Sequence, residues 1–232
     1  KYINKAQSIL VTAEGDGVII KNLYRDINIF HIYNFPSIKM KPKGNVCLRN
    51  KLNLYAETRI VLYQGVLHKG RGIKAMIQLL EDFPNLHAVI LGDGPYKNRL
   101  QNFSEKMNLD KRTHFLGKVP YKEMLELTMG ADIGFSLIEP LSKSYEQALP
   151  NKIFEYALAN VPVIASNLPE METFIQKFNL GLTVPYNDRN KQKWAVNKLL
   201  YETKKKNISE TAEKNLVWEK QKNIFLKSLG TM

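Results

Sequence analysis

From Ile60 onward the chain alternates short, mostly apolar runs with amphipathic stretches, and this alternation restricts the fold more than any other feature. The runs lie at 60–63, 88–91, 113–116, 133–137, 161–165 and 181–184. Between them, apolar residues recur at helical spacing over 73–82, 96–107, 122–129, 150–159 and 170–178. Short apolar strands joined by amphipathic helices need cover on both faces of a parallel sheet. The expected architecture is α/β, a doubly wound parallel sheet of Rossmann-like form. Ligands of such sheets bind beyond the carboxyl ends of the strands.

The region before residue 51 is organised differently. Runs at 9–12 and 27–33 read as two strands flanking a helix at 17–25. Asn34-Phe35-Pro36 follows, and then Lys39-Met40-Lys41-Pro42-Lys43-Gly44, a basic polar stretch suited to a linker. The expected division is therefore 1–38 as the end of another domain, 39–58 as linker, 59–206 as the main domain and 207–232 as a basic C-terminal helix. That helix, patterned over 208–229 around Trp218, is expected to be long and to lie outside the alternation.

At 232 residues and 44% hydrophobic content, one large core with an appendage can form. The single Cys47 excludes an intrachain disulfide and fits a reducing compartment. No apolar run approaches the roughly 20 residues of a membrane span. Residues 1–5 lack the apolar run of a signal peptide, and the start at Lys1 rather than Met is expected of a trimmed fragment. The net charge of +12 is uneven: from Lys191 on, ten Lys stand against four Glu, giving +6, half of the total. Such a tail suits solubility or an anionic membrane surface. Its lysines are not interleaved with stacking aromatics, so nucleic acid is not the expected partner.

Three stretches carry candidate chemistry. In 149–166, Pro150 reads as the first residue of a helix and Val161–Ser166 as the next strand. Lys152 then sits in the first helical turn, where the helix dipole disfavours a cation, and such local violations mark sites. Glu155, at i+3, shares its face. A cation for phosphate beside an anion for hydroxyls suggests a nucleotide or nucleotide-sugar pocket. Taken alone, the two residues read more simply as a solvated surface pair. The second stretch, Tyr63 to Gly72, places Gly65 where backbone can approach a ligand and Arg71 near a helix start. Its glycine spacing resembles a Walker A loop, but Arg71 and Gly72 replace the Lys and the Ser or Thr that motif needs. No G-x-G-x-x-G follows a strand, so a nicotinamide dehydrogenase is not supported. In the third, Phe115 to Pro120, the backbone of Lys118 and Val119 is available to a base edge. Gly92-Asp93-Gly94-Pro95 reads as turn chemistry alone. The four His residues lack ligand-like spacing, so no metal is assigned, and Ser142 and Ser144 lack a G-x-S-x-G context. The polar loop 138–148 runs into the Pro150 helix, where a substrate would sit.

In this order, Gly65, Arg71-Gly72, Gly92-Asp93-Gly94-Pro95, Phe115-Leu116-Gly117, Pro150-Asn151-Lys152-x-x-Glu155-Tyr156 and Pro162 to Ser166 resemble the nucleotide-sugar-binding half of a GT-B glycosyltransferase. The group is the retaining one called family 4 or group 1, and the match spans roughly residues 60–184 plus the Trp218 helix. Asn34-Phe35-Pro36 is similar to that family's junction between halves. The resemblance implies sugar transfer from a nucleotide-diphosphate-sugar donor, with retention, to an acceptor such as a glycan or lipid-linked saccharide. It implies that Arg71 and Lys152 neutralise the diphosphate with help from Gly65 and Asn151, that Glu155 holds the ribose, and that no metal or other cofactor is needed. The family's second glutamate falls at Gln147 here, with Glu146 adjacent, and either is a candidate for the donor sugar. Most of an acceptor domain would be missing, leaving a fragment poorly active alone. The implied location is cytoplasmic, peripheral on the inner membrane face if the basic tail meets anionic lipid. A nucleotide-sugar 2-epimerase of the same architecture and a non-catalytic α/β binding module are the alternatives.

Overall fold

A computed structural model describes residues 6–24, 26–44, 48–202 and 207–230. Residues 1–5, Arg25 at the end of the first expected helix, Cys47 and Lys204 to Lys206 of the basic tail lie outside the described residues.

The chain opens with a parallel pair, β1 (Ser8–Val11) and β2 (Asn28–His31), joined by α1 (Glu14–Leu23). Val11 and His31 pair in register and face α1, where Gly17 packs against both; a Cβ there would lie 2.6 Å from His31 Nε2. The outer face of α1 leaves Val18, Ile19 and Leu23 exposed. The described residues of the expected linker are held to the body. Short helix α2 (Leu48–Lys51) buries Leu48 completely, and Arg49 donates to Thr58 O and Gly130 O and pairs with Asp132.

The main body alternates as its sequence does: β3 (Arg59–Gln64), α3 (Ile73–Leu79), β4 (Leu86–Leu91), α4 (Lys97–Lys106), β5 (Thr113–Gly117), α5 (Tyr121–Thr128) and β6 (Ile133–Ser136). Then come α6 (Lys143–Glu146), α7 (Lys152–Leu158), β7 (Val163–Ser166), α8 (Pro169–Phe178), β8 (Gly181–Val184) and α9 (Arg189–Asn197). All six strands are parallel, in the order β5-β4-β3-β6-β7-β8. Alternate side chains of β3 feed two cores. Ile60 and Leu62 meet α7, α8 and the C-terminal helices, while Val61 and Tyr63 meet α3, α4 and α9. The sheet is thus covered on both faces, and its order reverses between β3 and β6, which opens a crevice at their carboxyl ends.

Three local expectations need correction. The helix after Pro150 starts at Lys152, with Asn151 as N-cap and Pro150 ahead of it. The strand expected from 161 starts at Val163, because Val161 N closes the preceding helix on Tyr156 O and Pro162 has no N–H to give. The long C-terminal helix is broken into α10 (Ile208–Asn215), a 3₁₀ turn at Trp218–Lys220 and α11 (Lys222–Ser228). Val217 is extended at the break (φ −120°, ψ 149°), and Leu216 and Val217 are buried while Trp218 N donates to Pro36 O. Tertiary bonds to the junction override the helical period. Helix α9 was not anticipated, because Gln192 occupies a buried position and interrupts the apolar stripe; its Nε2 donates to Tyr186 O at 2.8 Å.

Candidate functional site

The loop after β3 enters the crevice. Gly65 holds φ +123°, in the region that favours glycine, and a Cβ there would meet Lys152 Nζ at 3.5 Å. The Gly92 turn buttresses this loop rather than reaching for a ligand: Gly92 (φ +142°) packs directly on Gly65 O, and Leu67 N donates to Asp93 O at 3.0 Å. Arg71 sits between two glycines with positive φ. Gly72 is pressed onto the loop after β6, where a Cβ would lie 2.5 Å from Leu137 Cβ. Arg71 is thereby aimed at Tyr145, with its guanidinium carbon 5.0 Å from the ring centroid.

Lys152 and Glu155 share a helix face but not a salt bridge, so the solvated surface pair is ruled out. Lys152 Nζ lies 3.6 Å from the Tyr63 ring centroid and forms no ion pair among the described residues. Burial, and secondarily repulsion from Arg71, lower its pKa to about 7, against a partial pull upward from Glu155. Glu155 is buried, and burial raises its pKa. Hydrogen bonds from Gln64 and Tyr121, together with Lys152, oppose that rise. Gln64 Nε2 donates to Glu155 Oε2 at 2.5 Å, while Gln64 Oε1 accepts from Thr128 Oγ1 at 2.7 Å. The amide is fixed from both ends, and the carboxylate with it. Among the described residues the two cations therefore converge with no ion-pair partner, and one turn away the Glu155 carboxyl stands in place with acceptor capacity to spare. The first arrangement suits a diphosphate and the second a diol.

The remaining candidates divide. Gln147 lines a cavity of about 280 Å³ together with Arg71, Leu149 and Pro150, facing Thr12, Ala13 and Asp16 of the N-terminal pair. Its Nε2 lies 3.2 Å from where a Gly15 Cβ would be. Glu146 is exposed and does not line that cavity. Lys118 is exposed and Val119 half-buried against the core beyond the end of β5, and Asn151 is exposed at the α7 N-cap. Tyr121, just beyond Lys118 and Val119, bonds Glu155. Sequence reasoning missed Tyr63, Gln64, Tyr121 and Tyr145. Gln64 carried a signal, being the one polar residue after Arg59 in a strand that is otherwise apolar. Among the described residues, no group of three or more His, Cys, Asp or Glu is placed to hold a metal.

A doubly wound parallel sheet with a glycine-shaped, cationic crevice at its switch point defines an α/β protein of Rossmann-like form. Residues 47–215 match the family described as glycosyl transferases group 1, and the chain belongs to that family. It is 26% identical over 182 residues to an uncharacterized glycosyltransferase of Methanocaldococcus jannaschii, covering 72% of this chain and 41% of that protein. The fold is that of sucrose-phosphate synthase from Thermosynechococcus elongatus (TM-score 0.80, 20% identity, 97% of this chain and 59% of that one). It is also that of Anabaena HepE in complex with UDP (TM-score 0.83, 17% identity, 98% and 64%). The chain therefore spans about two-fifths to two-thirds of the length of these relatives. Among the described residues, no helix is long and apolar enough to cross a membrane.

Proposed function

We propose that this chain is the donor-binding, C-terminal half of a retaining, family 4 GT-B glycosyltransferase that moves a sugar from a nucleotide-diphosphate donor to a glycan or lipid-linked acceptor. The observation that carries this reading is the convergence of Arg71 and Lys152 beside Gly65, with no ion-pair partner for Lys152 among the described residues. Charge builds on a diphosphate as its bond to the sugar breaks, and two preset cations in a partly dry crevice stabilise that charge. In this reading Glu155 holds the ribose hydroxyls, the backbone of Lys118 and Val119 meets the base, and Asn151 flanks the diphosphate. Gln147, not Glu146, faces the donor sugar.

The cavity between Gln147 and Asp16 marks where the acceptor would enter. The exposed face of α1 supports further chain packing there, since a two-stranded parallel sheet seldom stands alone. The exposed Lys220, Lys222 and Lys227 beside Ile224 and Leu229 suit a peripheral place on the cytoplasmic face of an anionic membrane. The deciding experiment is calorimetric titration of UDP, GDP and ADP into the chain and into Lys152→Ala. One nucleotide is expected to bind, and the substitution to weaken it by about tenfold or more with unfolding temperature unchanged. Absence of binding to all three would favour a non-catalytic module.

A further inference from the structure

The stretch leading into the expected linker, Ser37 to Pro42, is pinned. Ser37 Oγ and Ile38 N donate to the two oxygens of Glu219 at 2.6 and 3.0 Å, Lys41 Nζ pairs with Glu213, and Pro42 is buried. With the start of α5 it encloses a hollow of about 140 Å³ whose charged lining is Lys39, Lys41, Lys43, Lys122 and Glu126. Of the nearby acids, Glu213 offsets Lys41, Glu123 pairs with Lys51, and Glu219 binds Ser37 and Ile38, which leaves Lys39, Lys43 and Lys122 in the lining against Glu126 alone. Lys39, Lys43 and Lys122 form no ion pair among the described residues, although Lys39 adds a longer-range attraction to Glu219.

Lys39, Lys43 and Lys122 are exposed around this one small hollow, where their like charges add and outnumber Glu126. Lys122 also stands in the first turn of α5, against the positive end of that helix, and the N-cap Pro120 supplies no side-chain acceptor. A net-positive lining of this kind favours an anion. The hollow is too small for a nucleotide sugar, since ligand pockets run to several hundred Å³. Its size and charge fit a phosphate group.

We propose that this hollow is a second anion site, taking a phosphate ester or diphosphate group. Lys122 follows Tyr121, whose hydroxyl bonds Glu155, so the site flanks the ribose end of the proposed donor crevice. The inference rests on its own charges and does not require the donor reading.

Inorganic pyrophosphate titrated calorimetrically at low salt separates the two sites. Wild type is expected to show two binding events. Lys152→Ala should remove one, and the triple variant Lys39→Gln, Lys43→Gln, Lys122→Gln should weaken the other by at least about tenfold. Matched thermal unfolding checks the fold, and the single Lys122→Gln, expected to give an intermediate loss, stands in if the triple variant is destabilised. A triple or single variant indistinguishable from wild type overturns the proposal, as does loss of all pyrophosphate binding in Lys152→Ala. Co-sedimentation with phosphatidylglycerol vesicles against phosphatidylcholine vesicles identifies the source. Binding lost in the triple variant assigns a lipid headgroup, whereas pyrophosphate binding without it assigns a soluble phosphorylated ligand.

Discussion

Lys152 is held where its charge is disfavoured. It lies over the Tyr63 ring, in the space that Gly65 leaves open, with Arg71 repelling it, and its pKa falls to about 7. Raising the pH above 7 therefore strips the Lys152 charge from the crevice. A bound diphosphate favours the ammonium form, so the pKa rises in the complex and binding takes up a proton. The sign follows directly: affinity for the preferred nucleoside diphosphate should fall as pH rises from 7 toward 9, by up to about tenfold per unit. Titrations at pH 8 in buffers of different ionisation enthalpy should show uptake approaching one proton. In Lys152→Ala the affinity should be weak and the slope flat. A wild-type affinity constant across that range would place the phosphates away from Lys152.

At the scale of elements, the crevice is a contact between turns. The backbone at Gly92 packs on Gly65 O, and both residues hold positive φ. Gly92→Ala drives a methyl into a backbone oxygen that cannot swing aside, and is expected to cost at least about 3 kcal/mol. It should also displace Gly65 and weaken diphosphate binding. Gly117→Ala is the control: its φ is +70°, but a Cβ meets nothing within 4 Å. Only the left-handed backbone penalty of roughly 1–2 kcal/mol applies there. Urea unfolding of both variants separates the steric effect from the conformational one. Elements with a strong local period were legible in the sequence, from the six strands of the main sheet to the helices between them. Helix α9 was hidden because a hydrogen-bonded Gln192 sits in its apolar stripe. The break near Val217 was hidden because its cause, the bond from Trp218 N to Pro36 O, joins distant residues. In the crevice, Gly65 and Arg71 stood out by lying between a strand end and a helix start, Lys152 by opposing the helix dipole, and Glu155 by sharing its face. Tyr121 did not, since a tyrosine opening a helix signals nothing until the fold carries it to Glu155.

At the scale of the molecule, the N-terminal pair is held to the large sheet by the end of the chain. Gln221, 3% exposed, reads the Tyr33 backbone on both sides: Tyr33 N donates to Oε1 at 2.9 Å and Nε2 donates to Tyr33 O at 2.5 Å. Ser8 Oγ donates to Ser228 O, and Gly15 N donates to Glu170 Oε1 at 2.7 Å across the cleft. Aromatic packing of Tyr33 on Phe174 and of Phe35 on Phe154 completes the joint. These contacts set how Asp16 and Gly15 face Arg71 and Gln147, whereas the glycine loop and Lys152 are positioned within the six-stranded sheet itself. Gln221→Ala leaves the amide and carbonyl of Tyr33 without partners and should cost about 2–5 kcal/mol at the joint. Hydrogen exchange should then accelerate in 28–36 and 218–228 while the strands of the large sheet keep their protection. Nucleoside diphosphate affinity should stay within about twofold, because the proposed diphosphate grip does not cross the joint. Uniform loss of protection, or loss of nucleotide binding alongside it, would mean that the two parts fold and bind as one unit.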